Sequence, residues 1–188
     1  MAPAEANKAA KLAINQTAQR KAIPLSRDAM VKQVSWPADY LRREDRFGMA
    51  YWATDTRLEA GVRARRDATS LARFTGLSSV PPRGTKLTVR VQPGKRTTLK
   101  HSFLVRLRSG NLGLAVRLRP NEPLLNTVGA KIIHGGPLNG VALLYGPSVD
   151  QVFRTVAVDV SEPTLDYLTT EFLRQFRRAV GNAGFSTT

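Results

Sequence analysis

Residues 99–119, LKHSFLVRLRSGNLGLAVRLR, alternate apolar and polar side chains with a period of two, the mark of a half-buried strand. The first arm sets Phe103, Val105 and Leu107 on one side and Leu104, Arg106 and Arg108 on the other. The second arm sets Leu114, Val116 and Leu118 against Arg117 and Arg119, and the link at residues 109–113 carries the glycines that a hairpin turn needs. The pattern predicts a hairpin with one core face and one ribbon of guanidinium groups. Arginines held side by side repel one another unless water, salt or a polyanion screens them.

Elsewhere the period shifts between helix and strand. Ala6, Ala10, Ala13, Ile14 and Thr17 recur at spacings of three and four, which predicts a helix over residues 4–22 with a shallow apolar face, ended by Pro24. Ser26 is a suitable cap for a second short helix, and Pro37 for the start of a third over residues 37–44. Residues 1–45 thus read as an N-terminal helical arm. Residues 46–188 read as the core domain. Within it, residues 47–53 (FGMAYWA) suit a strand, with helix left open by the glycine and alanines. Leu58, Ala60, Val62 and Ala64 alternate with Arg57, Glu59, Gly61, Arg63 and Arg65, as do Leu87, Val89 and Val91 with Thr88 and Arg90, so both read as strands with one wet face. Residues 120–140, rich in proline and glycine, read as a long loop, and residues 141–145 (VALLY) as a short strand. Pro147 opens a short helix with Val149, Val152 and Phe153 on one side. A last helix is capped by Ser161, buries Leu165, Leu168, Phe172, Phe176 and Val180, and closes at Gly181.

The fold class expected is α+β: a mainly antiparallel sheet of four or more strands, with the N-terminal arm and a C-terminal amphipathic helix packed on one face. Arg63, Arg65, Arg90, Arg106, Arg108, Arg117 and Arg119 would all project from the polar face of that sheet, toward DNA in a lumen or toward an acidic partner.

Charge sharpens this picture. Lys and Arg number 29 against 14 Asp and Glu, a formal net charge of +15, which favours an anionic partner. The chain has no cysteine, which excludes disulfides and thiolate metal sites, and His101 and His134 are too far apart in sequence to suggest a zinc site. No apolar run reaches the ~20 residues that span a bilayer, and the first residues lack a signal-peptide core, so a soluble protein of a reducing cytoplasm is expected.

Catalytic chemistry finds no support. GGPLNG at residues 135–140 lacks the spacing and the lysine of a phosphate loop, carboxylates are few and scattered, and no serine, histidine and acid set can be assembled. His101 reads as a polar-face or subunit-contact residue. No catalytic residue, cofactor or metal is nominated. The aromatics Trp36, Trp52, Tyr40 and Tyr51 lie outside the arginine ribbon, which argues against a base-stacking platform.

At residues 144–153, LYGPSVDQVF, the chain resembles the minor tail protein Z family of long-tailed bacteriophages, the tail-completion proteins. AINQTAQR at residues 13–20 is similar to the family's opening helix, HSFLVRLRSGNLGLAVRLR to its hairpin, and LTTEFLRQFRRAV at residues 168–180 to its final amphipathic helix. Residues 36–51 match nothing in the family pattern, and the loop after Pro120 is longer than the family's. The resemblance implies a structural virion protein in the neck or head-proximal tail. Such a subunit forms a ring, with six copies expected from the sixfold tail, between the head connector and the tail terminator or tube, around phage DNA. It implies no enzyme, no cofactor and no membrane. The alternative from charge alone is a free basic nucleic-acid-binding protein, of RNA-binding or ribosomal type.

Overall fold

A computed structural model of the protein describes residues 3–118, 129–133 and 140–184. The fold is α+β, with antiparallel strand pairing throughout the described sheets. It forms two compact units, one from Met1–Met30, Leu41–Arg65 and Phe153–Thr188, the other from Val31–Tyr40 and Arg66–Val152. The division does not follow the boundary expected at residue 45. The N-terminal helices share a unit with the first strand pair and most of the last helix.

In the first unit, α1 (Pro3–Thr17) passes through a π-helical turn (Ala18–Ala22) directly into α2 (Ile23–Gln33). Pro24 does not end the helix, as the sequence suggested. A proline has no N–H and crowds the carbonyl one turn back. Here a wide turn precedes it, in which the Ile23 N–H donates to the Ala18 carbonyl five residues behind, so the ladder is already offset where the proline enters. Ser26, expected as a cap, is buried inside α2, and the third expected helix shrinks to a single 3-10 turn, Tyr40–Arg42, after Asp39 at φ +57°. Of the expected apolar face of α1, Ala13 and Thr17 are buried and Ala6, Ala10 and Ile14 half-buried, and Ala9 is buried beside them.

Strand β1 (Phe47–Tyr51) pairs with β2 (Gly61–Ala64), which begins at Gly61 and not at Arg57. Gly61 is required here, because a Cβ would lie 2.4 Å from the Tyr51 ring. Asn15 of α1 fixes the exit of β1. Its Nδ2 donates to the Ala53 carbonyl at 3.1 Å, and its Oδ1 accepts the Ala53 N–H at 2.8 Å.

The last helix, α3, runs Val149–Gly184 as one element of 36 residues. It starts in a reciprocal cap: the Gln151 N–H donates to Ser148 Oγ at 3.0 Å and the Ser148 N–H to Gln151 Oε1 at 2.9 Å. Ser161 is therefore no cap. It sits mid-helix and its hydroxyl donates to the Val158 carbonyl at 2.7 Å, with Pro163 tolerated two residues on. The buried stripe also differs. Val149, Val152, Val156 and Val160 are buried, followed by Glu171 and Gln175, a pattern of about eleven residues per three turns. Of the expected stripe, Leu165 is 60% exposed and Val180 39%, while Leu168, Phe172 and Phe176 are half-buried. In this unit α3 meets β1 through Phe153 and Phe47, whose ring centroids are 5.1 Å apart.

The second unit holds β3 (Ala68–Ser70), β4 (Leu87–Val89), β5 (Thr97–Leu99), β6 (Ser102–Arg106), β7 (Leu112–Arg117), β8 (Gly129–Ile133) and β9 (Val141–Ser148). Strands β3, β9, β7 and β6 lie in that order, β8 adds to β9, and β4 with β5 makes a separate two-stranded ribbon. Strand β8 falls in the stretch expected to be loop. Residues 119–128 and 134–139, with Arg119, His134 and most of GGPLNG, lie outside the described residues. Trp36 stacks on Tyr40 at 5.3 Å and tilts against Phe74 at 5.8 Å, and Tyr40 Oη lies 3.3 Å from Thr69 Oγ1 in a buried hydrogen bond.

Candidate polyanion interface

The hairpin that dominates the sequence folds as expected but in a register that separates its arginines. Leu104 pairs with Leu114 and Arg106 with Leu112, so even-numbered residues of both strands share one face. Arg106 lies on that face. Arg117 pairs with Val141 and lies on the other, beside Ala115 and Leu143. The turn sets this outcome. Gly110, at φ +79°, donates its N–H to the Leu107 carbonyl and the Leu107 N–H donates to Asn111 O, leaving a three-residue loop at 108–110 where five residues were expected. Both faces are apolar as a result. Leu104, Leu114, Ala142 and Leu144 are buried on one, and Ala115, Val141 and Leu143 on the other, under half-buried Phe103, Val105, Leu107, Ile133 and Tyr145. The expectation of a greasy face backed by a cationic face is overturned for this sheet.

The remaining arginines of that expectation sit on other elements. Arg63 lies on β2, its Nε donating to the Glu44 carbonyl at 3.3 Å, and Arg65 follows β2, its N–H donating to the Arg46 carbonyl at 2.8 Å. Arg90 follows β4, its N–H donating to Phe74 O at 2.9 Å. Arg108 is exposed in the hairpin turn, where Arg106 Nη1 also donates to Gly110 O at 3.1 Å. His101 is in a tight turn at φ +57°, not on a strand.

What the structure does bring together are two groups of cations. In the second unit, the β4–β5 ribbon and its flanks carry Arg83, Lys86, Arg90, Lys95, Arg96 and Lys100, all exposed. The ribbon is anchored by buried Leu87, Val89 and Leu99, and its tip turns at Gly94, where the Lys95 N–H donates to Gln92 O at 3.1 Å. A signal for this group is present in the sequence: residues 68–121 contain eleven Lys and Arg and no Asp or Glu. Within that stretch the sequence itself supplies no carboxylate as a counter-charge. In the first unit, Arg42, Arg43 and Arg46 precede β1 while Arg63 lies on the facing strand and Arg65 just after it, and Arg27 Nη2 donates to the Phe47 carbonyl at 3.0 Å. Burial lowers the pKa of Arg27, and the neighbouring Arg42 adds to this while Glu44 opposes it. This second group is partly neutralised, since Asp45 pairs with Arg43 at 3.1 Å and Arg46 at 3.2 Å.

No family model, curated protein or solved structure matches this chain. Among the described residues there is no group of three or more metal-ligating side chains, and no helix is long and apolar enough to cross a membrane. The arrangement that the residues do provide is electrostatic: a ribbon of six exposed cations can meet a row of phosphates without reading their bases.

Proposed function

We propose that the protein is a structural subunit of the neck or head-proximal tail of a long-tailed bacteriophage, a ring component seated around the genome end. Its β4–β5 ribbon faces DNA phosphates. The observation that carries this reading is the acid-free stretch folded into an exposed ribbon, which suits sequence-independent contact with a polyanion. The family resemblance supplies the setting. Its four features fall, in order, in α1 and its π turn, in the β6–β7 hairpin, across the passage from β9 into α3, and in the end of α3. No step of catalysis and no cofactor enters this role.

The test is a particle preparation in which the codon for Trp36 is replaced by a stop. Filled heads and separate tails should accumulate. Joined, infectious particles would overturn the reading. A second reading, a free nucleic-acid-binding protein, draws on the same ribbon, because nothing in it requires a ring. Titration of the purified chain against duplex DNA and RNA separates the two: tight, salt-sensitive binding by the unassembled chain supports the second, and weak binding until rings form supports the first.

A further inference from the structure

The exposed side of α3 is unusually apolar for a solvent face. Val158 is 77% exposed, Leu165 60%, Leu173 46% and Val180 39%, and the half-buried rings of Phe172 and Phe176 stack on each other at 5.8 Å. Val158, Leu165 and Phe172 are spaced by seven, with Thr169 and Phe176 four residues after Leu165 and Phe172. That 4-3 alternation is the seam of a helix that pairs with another helix. From Val158 to Val180 the seam extends about 33 Å at 1.5 Å per residue.

Charge indicates which helix. Exposed Asp159, Glu162 and Asp166 flank the first half of the seam, and exposed Arg177 the second. A parallel copy would set like charges level with one another. An antiparallel copy crossing at Thr169 sets Asp159 and Glu162 beside the other copy's Arg177, twice, by the two-fold. Leu165 then faces the aromatic pair. We propose that α3 mediates an antiparallel two-fold pair between two copies of this chain. The net charge of +15 opposes association at long range, but at physiological salt the Debye length is about 8 Å, so the contacting pairs outweigh it. The pair is a state of the free chain and does not rest on the ring reading.

The absence of cysteine makes a direct test available, because an introduced thiol is the only one. On mild oxidation of the full chain, Thr169→Cys should form a disulfide-linked dimer, while Val158→Cys should not, its two copies lying about 33 Å apart along the pair. In sedimentation, Leu165→Asp and Arg177→Glu should each give monomers that keep the wild-type far-ultraviolet spectrum. Asp159→Arg and Glu162→Arg added to Arg177→Glu should restore the dimer. Crosslinking at both cysteine positions, crosslinking at neither, a wild-type monomer at all accessible concentrations, or a dimer indifferent to the charge changes would each overturn the proposal.

Discussion

Glu171 is the side chain whose surroundings most contradict its type. It is buried on α3, where Arg174 donates to its carboxylate from Nε at 2.8 Å and Nη2 at 2.6 Å, and Gln175 donates from Nε2 at 2.7 Å. Arg174 Nη2 also reaches Gln16 Oε1 of α1 at 3.3 Å. The Arg174 bonds hold the carboxyl below its usual range, burial works against them, and the Gln175 bond adds to them. A carboxyl with a depressed pKa in the folded chain stabilises it above the unfolded value, about 4.3, and that contribution fades as pH falls through the folded value. Glu171→Gln removes the titration. Its melting temperature should lie below wild type at pH 7, and the two curves should converge as pH falls from about 4.3 through the lower value of the folded carboxyl. Parallel curves over that span would show that the ion pair contributes nothing to folding. Gly61 offers a second check, since Gly61→Ala drives a methyl into the Tyr51 ring, which Arg57 covers at 4.0 Å and whose hydroxyl donates to Glu59. A loss of about 1–3 kcal/mol in chemical denaturation is expected.

At the scale of elements, the sequence pattern located helices and strands well and their phases poorly. The alternation in residues 102–117 identifies two strands, yet one residue of turn length decides whether Arg106 and Arg117 share a face, and that length depends on Gly110 entering the left-handed region. Period counting sees two strands, not their offset. On α3 the spacing of apolar residues points to Leu165, Leu168, Phe172, Phe176 and Val180 as the buried stripe. The helix instead takes its phase from the Ser148 cap and the valines behind it, so a glutamate and a glutamine inherit the buried positions. Pro24 reads as a helix end only until the π turn before it is known, and Ser161 as a helix start only until α3 is seen to run through it. The phase assignment predicts an inequality. Val156→Ala, at a buried site, should cost about 2 kcal/mol, whereas Leu165→Ala should cost under about 0.5 kcal/mol at concentrations where the chain is monomeric. Equal losses in urea denaturation would restore the stripe read from the sequence.

For the whole molecule, the net charge was plain in the composition and its location was not. Counting cations identified an excess in the first hundred residues, while the more telling property, the absence of carboxylates over residues 68–121, becomes meaningful once β4 and β5 are seen to lift six cations onto one exposed ribbon. The arginines first grouped by alternation are divided among three sheets, and on the largest they point both ways. If phosphate contact resides in the ribbon, the salt dependence of duplex binding must change when it is neutralised. Each lost phosphate contact lowers the slope of log K against log salt by about 0.9. Changing Arg90, Lys95 and Arg96 to serine should therefore flatten the slope by about 2.7 if all three engage phosphates, equally for every duplex sequence. Changing Arg106 and Arg117 should alter it far less, since no single polyanion surface can lie against opposite faces of one sheet. Binding measured from 50 to 300 mM salt checks this. A larger change for the Arg106 and Arg117 pair than for the ribbon would return the contact to the hairpin and remove the ribbon from the argument.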